Sequence, residues 1–172
     1  MNRHGLIVAA FVAAAACLAF AGAPSMADEK KASSDKEFMM EAAQGGMLEV
    51  KLGQIAKEQG SSDAVKRFGE RMVTDHSKAN KRLTALAAKK GVALPQALDR
   101  KHQSMLDQLA KLKGEEFDRS YADQMVKDHE QDIAEFEAEA KNGQDADVKA
   151  WAAQTLPTLR EHLALAKKLQ GK

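Results

Sequence analysis

The sequence predicts an all-α protein, four long amphipathic helices packed as a bundle with one shorter helix in the connection between the second and the third. Three observations predict it. Beyond residue 35, apolar residues recur every three or four positions in a chain rich in Ala, Leu, Lys, Glu and Gln and poor in β-branched residues. Glycines punctuate the periodic stretches, at Gly60, Gly91 and Asn142-Gly143. A short motif also occurs twice, as Met72-Val73-Thr74-Asp75-His76 and as Met125-Val126-Lys127-Asp128-His129, each time in the middle of a long stretch.

The first element is an export leader over residues 1–27. Arg3 and His4 form a short polar start, Leu6 to Phe20 carry no charge, and Ser25-Met26-Ala27 supplies the small residues a signal peptidase needs before Asp28. The apolar run is shorter than the roughly 20 residues that span a bilayer, and Gly22 and Pro24 interrupt it, so a membrane anchor is the weaker reading. The expected location is therefore the periplasm or the exterior, with no integral membrane segment once the leader is removed. Ala14-Ala15-Ala16-Cys17 imitates a lipidation box without its bulky opening residue, which makes a lipoprotein anchored at Cys17 the alternative.

A flexible lead over 28–35, rich in Lys and Ser, precedes a single domain over 36–172. Its helices are expected at Lys36 to Gln59, Ser62 to Lys90, Glu115 to Lys141 and Ala146 to Leu169, with Ser61-Ser62-Asp63 offering caps for the second. Gly91 to Gly114 is too long for a tight turn. After Pro95 it reads as a shorter helix carrying Leu98, Met105, Leu106, Leu109 and Leu112. Such a helix either runs back along the bundle, as the crossover of ferritin-like folds does, or packs outside a simple up-and-down bundle.

Charge and composition exclude several function classes. The formal net charge is +1 with the signs interleaved, which leaves no basic surface for nucleic acid. Cys17 is the one cysteine, so the domain has neither a disulfide nor a thiolate metal site. No nucleophile beside a base and no phosphate loop stands out, which argues against an enzyme. No partner protein is indicated, and the expected state is a monomer or a weak homo-oligomer.

The inward seams carry the functional signal. Helix one presents Phe38, Ala42, Gly45, Glu49, Leu52 and Ala56, and helix two presents Val65, Phe68, Met72, His76, Ala79, Leu83 and Leu86. Helix three presents Ala122, Met125, His129, Ile133, Phe136 and Ala140, and helix four presents Val148, Ala152, Thr155, Leu159, His162, Ala166 and Leu169. Each mostly apolar seam thus holds one ionisable residue, Glu49, His76 and His129 near the middle of their helices and His162 about a turn further along. Helices of similar length bring the four into one layer, and an unpaired buried polar group costs roughly 1–3 kcal/mol, so the layer must be satisfied.

Two arrangements satisfy it. In one, Glu49, His76, His129 and His162 coordinate a single transition metal, Zn, Cu, Fe or Mn. In the other, Glu49 accepts hydrogen bonds from the imidazoles, and the layer is a polar plug that sets helix register in a metal-free envelope or stress-related structural or interaction protein. Met72 and Met125 lie one turn before their histidines, where thioethers favour copper or simply fill the core. Asp75 and Asp128 lie beside the seam, as orienting partners for a histidine on a neighbouring helix or as solvated flanks. Gly45 and Gly46 suit close helix approach, Phe117 and Trp151 are expected in the core, and Pro157 is expected to kink helix four one turn before His162. His102, Glu41 and Glu161 are expected at the surface.

The pattern also resembles a known family. The residues that carry the likeness are Glu41-Ala42-Ala43-Gln44-Gly45-Gly46, Glu49-Val50-Lys51-Leu52-Gly53, Asp75-His76-Ser77-Lys78-Ala79-Asn80, Phe117-Asp118-Arg119-Ser120-Tyr121 and Leu156-Pro157-Thr158-Leu159-Arg160-Glu161-His162. Together they resemble the bacterial exported family known as domain of unknown function 4142. That resemblance implies a ferritin-like bundle in the periplasm or envelope and transfers no catalytic residue. The residues three before the histidines are Val73, Val126 and Leu159, whereas di-iron members of the ferritin-like group carry Glu there, so a di-iron oxidase site is not expected.

Overall fold

A computed structural model of the protein describes Met1 and residues 26–171, the side chains of 26–34 excepted. Five helices follow one another: α1 (Met26–Gln59), α2 (Asp63–Lys89), α3 (Arg100–Ala110), α4 (Gly114–Asn142) and α5 (Ala146–Leu169). The expected leader, with Cys17, lies almost wholly outside the described residues. No helix of the described residues is long and apolar enough to cross a membrane.

The helices stop and start where side chains satisfy their free backbone groups. Ser62 caps α2 by accepting from Val65 N at 3.2 Å, Asp99 caps α3 through His102 N at 2.9 Å, and Asp145 caps α5 through Asp147 N at 2.9 Å. Gly91 ends the turn after α2 with φ +68°, a conformation that strains any residue with a Cβ. α5 continues through Pro157. α1, by contrast, starts at Met26 and not at Lys36, so the backbone of 28–35, expected as a flexible lead, is helical. No glycine or proline interrupts residues 26–44, and the helix extends backwards from its packed part.

Contacts at the two ends give the connectivity. Asp118, in the first turn and a half of α4, accepts from Ser61 N at 2.8 Å and Ser62 N at 2.9 Å, so α4 begins where α1 ends. Asp35 on α1 accepts from Gln144 N and Asp145 N, the latter at 2.7 Å, so α4 ends where α1 starts. α2 runs antiparallel to α5, through Arg71 to Glu161, Arg82 to Gln154 and Lys89 to Asp147. The chain therefore leaves α2 at one end of the bundle and enters α4 at the other. Residues 90–113 travel the length between, with α3 laid along the outside, which is the crossover of a ferritin-like bundle and excludes the up-and-down arrangement. Gln44 pins the start of this crossover from α1, donating to Ala97 O at 3.1 Å and accepting from Asp99 N at 3.0 Å.

The core is divided in two. At one end Leu52, Phe68, Met72, Phe117, Tyr121 and Met125 pack together, and at the other Met39, Leu83, Phe136, Val148, Trp151 and Leu159 do so. Glu49, His76, His129 and His162 lie between these clusters along their helices, all buried. Near the first cluster α1 and α2 touch backbone to backbone: a Cβ added at Gly69 would lie 2.7 Å from Gly53 O, and one at Gly53 would lie 2.8 Å from Gly69 O. The stripe expected on α1 is displaced in its first half, where Met39 and Ala43 are buried and Phe38 and Ala42 only partly so. α1 packs against both α2 and α4, so its buried arc is wider than one seam. Phe38 closes the α4 and α5 side, edge-on to Phe136 at 4.9 Å and Trp151 at 5.9 Å.

Candidate metal centre

Each imidazole of the layer is held by an oxygen on one of its nitrogens. His129 Nδ1 lies 2.8 Å from Met125 O, one turn back on α4, and since a carbonyl only accepts, the hydrogen is on Nδ1. His162 Nε2 lies 2.9 Å from Asp75 Oδ2 across the α2 and α5 interface. Hydrogen bonds from His162 and Arg71 hold the Asp75 carboxyl below its usual range despite its partial burial, so it is an acceptor and His162 donates from Nε2. His76 Nδ1 lies 2.8 Å from Glu49 Oε2 and donates to that carboxylate when it is ionised. Arg71 extends the chain outward, bonding both Asp75 at 3.2 Å and Glu161 at 2.6 Å.

These bonds place the lone pairs. Neutral His129 keeps its lone pair on Nε2 and neutral His162 on Nδ1, and these two atoms face each other at 3.3 Å. A hydrogen bond between them would need one ring to be protonated. Burial opposes that: it pushes His162 down to about 3 and His76 down to about 4, with the neighbouring imidazoles adding to the shift of His162, and it lowers His129 as well. His76 keeps its other nitrogen, Nε2, buried without a partner. One nitrogen from each of the three rings lies within 4.8 Å of those of the other two, a spacing a single metal ion can bridge.

Glu49, expected as a fourth ligand, is not a member of that set. It is 2% exposed, its Oε2 engages His76, and its Oε1 lies 3.4 Å from His129 Nε2 with no hydrogen-bond partner. Burial raises its carboxyl to about 7, against the opposing pull of His129. Of the expected neighbours, Asp75 reaches a histidine on another helix. Asp128 does not; it accepts from Gln124 Nε2 at 2.7 Å, and its Oδ2 is buried and unpartnered. Met72 and Met125 are fully buried in the apolar cluster beside the layer, and Met125 serves His129 through its carbonyl.

Three residues near the layer were not legible as site residues. Asp132, one turn after His129, is pushed well above the usual carboxylate range by burial and by Glu49. Tyr121, two turns before His129, is 0% exposed with an unpartnered hydroxyl, and burial raises it further under the charge of Glu49. The run Tyr121, Met125, His129 at steps of four was the available signal, since it repeats Phe68, Met72, His76. His102, expected at the surface, is instead 6% exposed, with Nδ1 2.9 Å from Asp99. The polar run around it hid the fact that the ring turns inward from the first turn of α3. Glu41 and Glu161 are exposed, as expected.

The model of a family described as domain of unknown function, DUF4142, matches residues 21–169. The chain belongs to that family. No curated protein matches this DUF4142 chain. Among solved structures it is similar to a DUF305 fragment from Deinococcus radiodurans, at 15% identity and TM-score 0.70, over 80% of this chain and 95% of that one. It is also similar to CopM in the Cu(I)-bound form, at 15% identity and TM-score 0.65, over 78% of this chain and 93% of the other. A conserved hypothetical protein, rv2844, from Mycobacterium tuberculosis has 13% identity and TM-score 0.64, over 82% and 93%. At these identities the likeness shows the shared helical fold.

Proposed function

We propose that this DUF4142 protein is an exported metal-binding bundle that holds one transition-metal ion on His76, His129 and His162. The observation that carries the reading is the pair of facing lone pairs, His129 Nε2 and His162 Nδ1, 3.3 Å apart in a buried site that disfavours an imidazolium. Two nitrogens each ~2.0–2.1 Å from a tetrahedral metal are about 3.3 Å apart, so a metal relieves the repulsion without moving either ring. An oxygen partner on the far nitrogen of each ring is the arrangement that orients metal-bound histidines, which makes Glu49 and Asp75 orienting carboxylates. Three neutral imidazoles without thiolate suit Zn or copper better than Mn, and the copper-bound neighbour of the same fold supports testing copper first. Export rests on the leader over residues 1–27.

The test is metal content of protein purified from the compartment to which it is exported, with thermal unfolding in the presence of Cu(I), Cu(II), Zn(II), Fe(II) or Mn(II). Wild-type protein should bind one ion and unfold at higher temperature with it, since a ligand that binds only the folded state stabilises it. His129→Ala should lose both the ion and the shift. A wild type that neither carries nor responds to any of these ions overturns the reading in favour of the polar plug, in which His129→Ala still costs about 1–3 kcal/mol through its stranded partners.

A further inference from the structure

The imidazoles are buried, His129 and His162 at 0% exposed and His76 at 5%, so an ion needs a way in. A cavity of about 120 Å³ lies between α1, α3 and α4, and Glu41, Glu49, His102, Asp128, Asp132 and Glu135 line it. Its outer wall includes exposed Glu41, and its floor includes Glu49, whose side chain is 98% buried and whose Oε1 is unpartnered. Asp128 presents a second buried and unpartnered oxygen. Gly45, Glu49 and Asp132 also line a second space, of about 20 Å³, which reaches His76. Both spaces thus border on the same place, where Gly45 of α1 faces Asp132 of α4. A Cβ added at Gly45 would meet only Asp132 Oδ1, at 3.9 Å, whereas one at the adjacent Gly46 would run into Asn80. The gap therefore has room for a Cβ at ordinary van der Waals contact, with no backbone of a neighbouring helix against it.

We infer that this carboxylate-lined cavity is the entry port through which a metal cation reaches the imidazole triad, with Asp128 and Asp132 as the relay and Glu49 as the last oxygen before the ligands. This rests on the metal-binding reading above. The chemistry of the walls selects the occupant. Five carboxyl-bearing residues outnumber the two ammonium groups of Lys101 and Lys127, and hard oxygen ligands of this kind suit a metal cation and not an anion. Its size suits an ion that still carries water, since a water needs roughly 10–15 Å³ of such space. Successive oxygens then replace that water on the way to nitrogen ligands. The crossover explains why the port exists on this side: α3 lies over the groove between α1 and α4 beside Asp128, while on the α2 and α5 side Asp75 is held by Arg71.

The experiment measures uptake of Co(II), read from the visible absorption it acquires on arrival at nitrogen ligands, by stopped flow on the full-length exported protein. Gly45→Leu fills the gap and leaves every ligand in place; replacing a helical glycine also favours folding. It should slow uptake and release together, by at least tenfold, with the same final absorption and affinity. Asp128→Asn with Asp132→Asn should slow uptake with the same final absorption, because an amide is a weaker oxygen ligand for the passing cation than a carboxylate. Wild-type rates in both variants would overturn the port and leave the metal site standing. Wild-type protein that acquires no Co(II) spectrum and binds none of Cu(I), Cu(II), Zn(II), Fe(II) and Mn(II) would overturn both.

Discussion

Removing the Asp75 carboxylate separates the orienting role of that residue from simple surface pairing. In Asp75→Ala the His162 Nε2–H loses its acceptor at 2.9 Å, and that ring is fully buried, so nothing replaces the bond. Stranding a buried donor costs about 1–3 kcal/mol. The other bond of Asp75, to Arg71, belongs to a largely exposed side chain that keeps Glu161 at 2.6 Å, so its loss adds little, about 0–1 kcal/mol. The metal-free protein should therefore lose about 1–4 kcal/mol in urea unfolding. The same change frees the His162 ring to turn away from the orientation that aims its Nδ1 lone pair at the site. Loss of such an outer partner typically lowers metal affinity about 10–100-fold.

The assay is a double-mutant cycle with His162→Ala, read both by urea unfolding without metal and by competitive metal titration. If the bond is the mechanism, Asp75→Ala costs about 0–1 kcal/mol in the His162→Ala background, because only the Arg71 contact is left to lose. An undiminished cost in that background would refute the argument. So would full stability loss in the parent with metal affinity unchanged, since His162 would then not be a ligand.

Two further outcomes follow from the same layer and its surroundings. Below their ordinary 6.5 the unfolded chain protonates His76 and His162 while the folded chain holds them neutral down to about 4 and about 3, so each makes the metal-free fold less stable as pH falls through that window, by about 1.4 kcal/mol per pH unit. Glu49 acts with the opposite sign, taking a proton in the fold from about 7 downward while the unfolded chain waits until 4.5, so it offsets one histidine between 6.5 and 4.5. Glu49→Gln should therefore steepen the acid slope by about 1.4 kcal/mol per pH unit in that interval, and equal slopes by urea unfolding at several pH values would count against the burial argument. Gly69→Ala should destabilise by about 1–2 kcal/mol, because overpacking of the α1 and α2 backbones at 2.7 Å outweighs the gain in helix propensity, and a neutral or stabilised variant in urea unfolding would show that the helices part easily there.

The helices and the polar layer were legible because both depend on local periodicity. A histidine or glutamate at steps of three and four among Leu, Met and Ala must face inward, whatever the topology, and Glu49, His76, His129 and His162 do. What escaped was set by neighbours remote in sequence. The burial of His102 requires α3 to lie on α1, which Gln44 enforces across more than fifty residues. Asp132 sits one position before Ile133 on the seam and is covered only because α1 passes beside it. Asp35 looked like the end of a polar lead, yet it closes the bundle by taking two backbone amides of the α4 to α5 turn. Gly69 carries no periodic signal at all; its reason is the backbone of Gly53 opposite.

The two copies of the repeated motif are used differently, and the crossover is the physical cause. Both copies turn a histidine into the layer from the middle of a long helix, and both set an aspartate just before it, on the flank. On α2 that flank meets α5, where His162 offers an N–H and Arg71 supplies a countercharge, so Asp75 becomes a fixed, ionised acceptor. On α4 the flank meets the groove roofed by α3, where His102 bonds its own cap and Asp128 receives one amide bond from Gln124. Burial then raises the Asp128 carboxyl, and an oxygen is left without a partner beside the cavity. One aspartate is consumed in holding a ligand still, and the other remains available to a passing cation. Two copies of one motif thus yield one side that orients the triad and one side that borders the cavity.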